Sequence, residues 1–325
     1  MKTIGRMNRL WLAGAAGAEV LTYLWLSLVL RMLAGSRVNA RRAAPARTAL
    51  VLFGLGNLLP AAPAEGLVMA GAALKRRHLD PQRIHALLGC SQWFNNRALL
   101  AIGAVDVLVA VAVGDIPRRY EDGVVSGALV MLALLLLTAW LSLRRATAER
   151  VACVILRLRH PRNCPSRAVR RERGATWHRV ALHVTGNRKH RVLLAGLNAT
   201  AWVCDGLCMY LALRASGVRL EADQVMLAYT AGVIASKAPL VPAGLGVVET
   251  VTPLLLIHYG VPWSHAIAAV LVYRLFSTLV PAVAGTLAVL GFRLGPRARS
   301  EAADSARRWV QGSPPRPRRR WLAHR

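Results

Sequence analysis

Apolar residues in this chain gather in long runs rather than at the spacing of amphipathic helices or strands. The runs 10–33, 98–113, 123–143, 192–213 and 267–290 are long enough to cross, or nearly cross, a hydrocarbon core about 30 Å thick. Inside such a core every backbone polar group needs an internal partner, which a helix supplies. The pattern therefore predicts an all-α, polytopic membrane protein. Two other regions are apolar but broken. Residues 51–59 and 67–74 flank PAAPAEG, and residues 225–235 and 247–259 flank PLVPAGLG. Each arm is too short to span alone, so each region predicts a re-entrant helical hairpin with its proline-rich tip inside the membrane.

Composition agrees with this reading, since a 55% hydrophobic chain is outside the range of ordinary soluble domains. Its 43 basic and 15 acidic residues matter chiefly through their placement, because short arginine- and lysine-rich loops stay on the cytoplasmic side. Segment 144–191 and the tail 294–325, with its RPRRR, are placed inside on that ground, the tail as a disordered one. The charge-balanced connections 115–122 and 216–223 are placed outside. The first broken region then has both ends inside, between Arg41, Arg42 and Arg47 and Lys75, Arg76 and Arg77, whereas the second has both ends outside. Lys2, Arg6 and Arg9 before the first run resemble a secretory leader. That run is long for a leader's apolar core and contains Glu19, so a retained span is expected.

The two halves repeat one order of elements. Pro60 and Pro63 share the Pro-x-x-Pro spacing of Pro239 and Pro242, and each motif is followed at a similar interval by an arginine, Arg97 or Arg274. Glu19 and Asp205 occupy comparable places in the preceding spans. Opposite orientations make these inverted repeats, a plan in which broken helices near the midplane surround the substrate site. The expected divisions are a first membrane repeat with a connecting span (1–143), a basic cytoplasmic amphipathic segment (144–191), a second repeat (192–293) and the tail. The basic segment suits anionic inner-leaflet lipids. Nucleic acid is not an expected partner, because the charge flanks spans and no recognition motif accompanies it.

Ionised side chains in a bilayer need a partner or a wet cavity, so Glu19, Glu65, Arg97, Asp106, Asp205, Lys237, Glu249 and Arg274 are the candidate chemistry. Glu65 with Arg97, and Glu249 with Arg274, are the pairs the repeat suggests. They either lock a hairpin to its neighbour or, if hydrated, present guanidinium groups that bind phosphate bidentately. Helix starts after Pro63 and Gly246 would add N–H donors for an anion. Asn57 and Ser236 stand at matching points before the tips and can serve a headgroup or the tip's own carbonyls. Asp106 and Asp205 fit proton sites or packing acceptors. Cys90, Cys153, Cys164, Cys204 and Cys208 have neither metal-ligand nor disulfide spacing, and no metal or cofactor is expected.

The run YTAGVIASKAPLVPAGLGVVETVTPLLLIHYGVPWSHAIAAVLVYRLFSTLVPAVAG resembles the signature region of the lysylphosphatidylglycerol synthase transmembrane family. The tip at 242–246 with Gly244 and Gly246, the Gly-Val-x-Glu ending at Glu249, the Gly260–Val261 turn and the Tyr273–Arg274 pair carry the likeness. The segment from Asn57 through Glu65 to Arg97 looks like the family's earlier motif in weaker form. Ala243 stands where the family commonly has the first glycine of Pro-Gly-Gly. Members that make aminoacylated lipid carry a large soluble transferase domain; this chain closes on a short basic tail, so lipid synthesis is not expected. The resemblance implies a flippase-like protein moving an anionic or modified phospholipid between leaflets, with Asn57, Glu65, Arg97, Ser236, Glu249, Tyr273 and Arg274 as the binding residues. A glycosyltransferase-type enzyme acting on a lipid-linked substrate and a membrane regulatory subunit are the competing classes.

Overall fold

The first apolar run folds as one helix, α1 (Arg9–Ala34), whose first turn is capped by the Asn8 side chain accepting from the Leu10 N–H at 2.9 Å. The computed structural model describes residues 7–34, 49–54, 81–114, 133, 187–237 and 244–293. Among these residues all regular structure is helical. After a π-helical turn, Leu50–Gly54, comes α2 (Pro81–Val113), opened by a proline at a position where no N–H is needed. Then follow α3 (Arg188–Ala215), α4 (Ala222–Ser236) and α5 (Val248–His258). The last stretch is α6 (Trp263–Arg274), a second π-helical turn (Leu275–Leu279) and α7 (Val280–Arg293). Run 123–143 apart from residue 133, the first tip with Asn57, Pro60, Pro63 and Glu65, and Pro239 and Pro242 lie outside the described residues, as do segment 144–186 and the tail.

Among the described residues, four stretches are long and apolar enough to cross a membrane: Arg9–Leu33, Leu87–Val113, Arg188–Ala215 and Trp263–Ala288. The α4 and α5 helices differ, with 15 and 11 residues. At 1.5 Å per residue these reach only about 22 and 16 Å, short of the core. They pack on each other closely, since a Cβ at Gly232 of α4 would collide with the Thr252 hydroxyl of α5.

The core is built from small side chains that let helices approach. Ala15 and Ala18 of α1 meet Cys208 and Ala212 of α3, with Ala228 of α4 and Ala266 and Ala269 of α6 in the same buried cluster. α1 and α3 run antiparallel, fixed where the Asn8 N–H donates to Ala215 O (3.0 Å) and the Thr22 hydroxyl donates to Ala201 O (3.3 Å). Leu24, Leu108, Leu207, Leu254 and Leu287 point outward and are exposed. Such an apolar exterior suits acyl chains rather than water.

Two local devices shape the second half. Gly260 takes a φ of +86°, and the Val261 N–H reaches back to Leu256 O while the Gly260 N–H reaches Ile257 O. This Schellman closure gives the Gly260–Val261 pair a structural reason. Pro281, the second residue of α7, cannot donate to the carbonyl of Ser277. The widened turn Leu275–Leu279 sits directly before it and relieves the ladder.

Candidate functional site

The site forms where α4 stops and α5 starts. Ser236, the last residue of α4, donates its hydroxyl to Val233 O at 2.6 Å, so it serves its own helix end. Gly244 returns at a φ of +60° against it; a Cβ there would collide with the Ser236 Cβ. Gly246 also has a positive φ, +83°, but faces open space. Two left-handed glycines turn the chain into α5 where L side chains would be strained.

Glu249, in the first turn of α5, holds this turn and a second helix at once. Its Oε2 accepts from the Gly246 N–H at 2.8 Å, and its Oε1 accepts from Arg274 Nε at 2.7 Å. An acid here is also favoured by the partial positive charge of the helix start. Thr250 adds a bond from its hydroxyl to Gly246 O at 2.6 Å. Arg274 closes α6 at the mouth of the π-helical turn, and its Nη1 donates to the Thr278 hydroxyl at 2.8 Å. The Arg274 and Glu249 side chains are 14% and 26% exposed. The ion pair is thus largely withdrawn from solvent yet reachable at its edge, a setting in which charge-assisted hydrogen bonds are strong.

A second group lies deeper. Asp205 of α3 accepts at Oδ2 from the Tyr229 hydroxyl (2.6 Å) and the Tyr273 hydroxyl (3.2 Å), with the two rings edge to face at 5.9 Å. Tyr273 is therefore buried on Asp205, not beside the ion pair. Lys237, the exposed cap residue of α4, holds its ammonium over the Trp202 ring at 5.5 Å. Trp202 donates its indole N–H to Asn95 O at 2.8 Å and so ties α3 to α2.

The structure brings Glu249 and Arg274 together, as the repeat spacing suggested. Arg97 lies over the Trp93 ring at 4.5 Å; its expected partner Glu65 is outside the described residues, as is Asn57. Asp106 accepts from the Thr230 hydroxyl at 2.9 Å and joins α2 to α4. Sequence reasoning missed Thr278 and Tyr229. Thr278 stands one helical turn beyond Arg274, a spacing that would have found it. Tyr229 had no comparable signal. Among the described residues no group of three or more His, Cys, Asp or Glu side chains is placed to hold a metal ion.

A family model described as the lysylphosphatidylglycerol synthase TM region matches residues 1–285. No curated protein matches the chain. Together with four long apolar helices, the family match identifies a multi-pass membrane protein.

Proposed function

Because this chain belongs to the lysylphosphatidylglycerol synthase TM region family, we propose that it is a flippase-like transporter moving an anionic or modified phospholipid between the leaflets of a bacterial inner membrane. The observation that carries this reading is the Arg274–Glu249 pair at 2.7 Å, set against a glycine-built break between two helices too short to span. A guanidinium held by a carboxylate in this way is poised for exchange. A headgroup phosphate can take Glu249's place on Arg274, with the freed carboxylate remaining on the Gly246 N–H.

Acyl chains stay in the bilayer throughout, and only the headgroup crosses the protein. On this reading α4 and α5 are the arms of a re-entrant hairpin, and residues 57–97 form its inverted counterpart with Glu65 and Arg97. The antiparallel packing of α1 on α3 supports that symmetry, since these are the spans that carry Glu19 and Asp205. The basic segment 144–191 would rest on anionic inner-leaflet lipids. Reconstitution into liposomes carrying labelled phosphatidylglycerol, or its aminoacylated form, tests the proposal. Protein-dependent loss of label from one leaflet is expected for at least one of the two. Redistribution no faster than in protein-free vesicles for both contradicts it.

A further inference from the structure

Four helices converge on two carboxyl groups that the ion pair does not involve. The α1–α3 register set by Asn8 with Ala215 and by Thr22 with Ala201 places Glu19, one turn before Thr22, opposite Asp205, one turn after Ala201. Both are buried, 6% and 7% exposed, and their carboxyls lie within hydrogen-bonding reach of each other. Asp205 Oδ2 is taken by the two tyrosine hydroxyls. Glu19 Oε2 and Asp205 Oδ1 are also buried, and no donor among the described residues meets either.

Two carboxylates cannot both be charged here. At about 4 Å, like charges repel by roughly 4 kcal/mol even at an effective dielectric of 20, and burial penalises each charge further. A proton on either carboxyl removes the repulsion and turns an acceptor into the donor that the unmatched oxygens lack. Among the described residues, the other titratable groups near the pair are Tyr23 of α1, Cys204 and Cys208 of α3, Tyr229 of α4 with Lys237 capping it, and Tyr273 of α6. Lys237 alone among them is a cation, and it interacts with both Asp205 and Arg274. From α2, Asp106 is engaged by Thr230.

We propose that Glu19 and Asp205 form a proton-binding site inside the membrane, holding one exchangeable proton whose presence is linked to occupancy of the Glu249–Arg274 site. The linkage rests on the transport reading; the proton site does not. Tyr273 and Arg274 are consecutive on α6, one bonded to Asp205 and the other to Glu249, directly before a π-helical turn. Any rotation of α6 at that turn changes both contacts together. Lys237 adds an electrostatic link. An anion arriving beside Arg274 offsets the lysine charge felt by Asp205 and so favours proton uptake. By reciprocity, the proton then favours the anion. An anion and a proton taken up together from one side and released on the other keep the charge balanced.

Infrared spectroscopy of the full chain in sodium-free lipid tests the proton site, read as the carbonyl band of a protonated carboxylic acid titrated against pH. The wild type is expected to show such a band at neutral pH. It should disappear in Glu19→Gln, which keeps both tyrosine bonds to Asp205, and it should shift in Asp205→Asn, where the buried Glu19 keeps a proton but loses its carboxylate neighbour, and in Tyr273→Phe. A band unchanged in Glu19→Gln and Asp205→Asn overturns the site. For the linkage, phosphatidylglycerol redistribution is followed in liposomes under opposite pH gradients. The wild type should change rate with the sign of the gradient, and Glu19→Gln should lose that response. An equal response in both overturns the linkage. Wild-type vesicles with no lipid movement under either gradient strike the transport reading instead, and the carboxyl band still decides the proton site.

Discussion

Glu249 does two jobs with its two oxygens, and this makes it the residue whose removal separates folding from function most cleanly. Glu249→Gln retains an oxygen for the Gly246 N–H while discharging the partner of Arg274. The expected stability loss is that of one charge-assisted hydrogen bond, roughly 1.5–3 kcal/mol, measurable as a shift in thermal unfolding in detergent. The two glycines provide a second contrast. Both Gly244 and Gly246 have positive φ, but only Gly244 is pressed against Ser236. Gly244→Ala should therefore cost distinctly more than Gly246→Ala, for which backbone strain alone is on the order of 1 kcal/mol. Equal losses in the two variants would show that the contact with Ser236 is unimportant.

At the scale of helices, the close approach of α4 and α5 defines the broken region. Gly232→Ala should push the pair apart and destabilise by about 1–3 kcal/mol. Adding Thr252→Ala should recover much of that, because the clash is with the threonine hydroxyl. If the double variant is no more stable than Gly232→Ala, the contact is misjudged. The Thr230–Asp106 bond between α4 and α2 is a milder tie. Such interhelical bonds in membranes average about 0.6 kcal/mol, so Thr230→Val should barely move the unfolding midpoint.

Much at this scale was legible from residue spacing. Long apolar runs announced α1, α3 and the α6–α7 stretch, and breakers at 239–246 marked the end of α4 and the start of α5. The Glu249–Arg274 pairing followed from a charge in each of two neighbouring apolar stretches, since neither can stand alone in lipid. Tyr229 and Tyr273 were different. A phenol in an apolar helix reads as a packing aromatic, and only the rotation of α4 and α6 about their axes brings both hydroxyls to Asp205. The Glu19–Asp205 meeting likewise depends on the register of α1 on α3, which small residues such as Ala15 and Ala18 permit but do not announce.

Across the whole molecule, the proposed orientation rests on the asymmetry of arginine and lysine. Arg188 at the start of α3 belongs to a basic segment, while Glu221 before α4 and Tyr259 after α5 belong to neutral or balanced turns. Single cysteines at 221 and 259 should react with an impermeant thiol reagent applied to the outer face of intact cells, in a background with the native cysteines removed. A cysteine at 188 should react only after the membrane is opened. Labelling at 221 and 259 from opposite faces would exclude a hairpin that enters and returns.

Glu249 and Arg274, meeting at a break between short helices, are the residues proposed to receive the lipid headgroup. The most direct test of that role is the rate of phosphatidylglycerol redistribution in liposomes holding equal amounts of folded wild type, Glu249→Gln, Arg274→Ala and Thr230→Val. A loss of about tenfold or more is expected in the first two variants, a barrier change of at least ~1.4 kcal/mol, with Thr230→Val close to wild type. Wild-type rates in both Glu249→Gln and Arg274→Ala would contradict it.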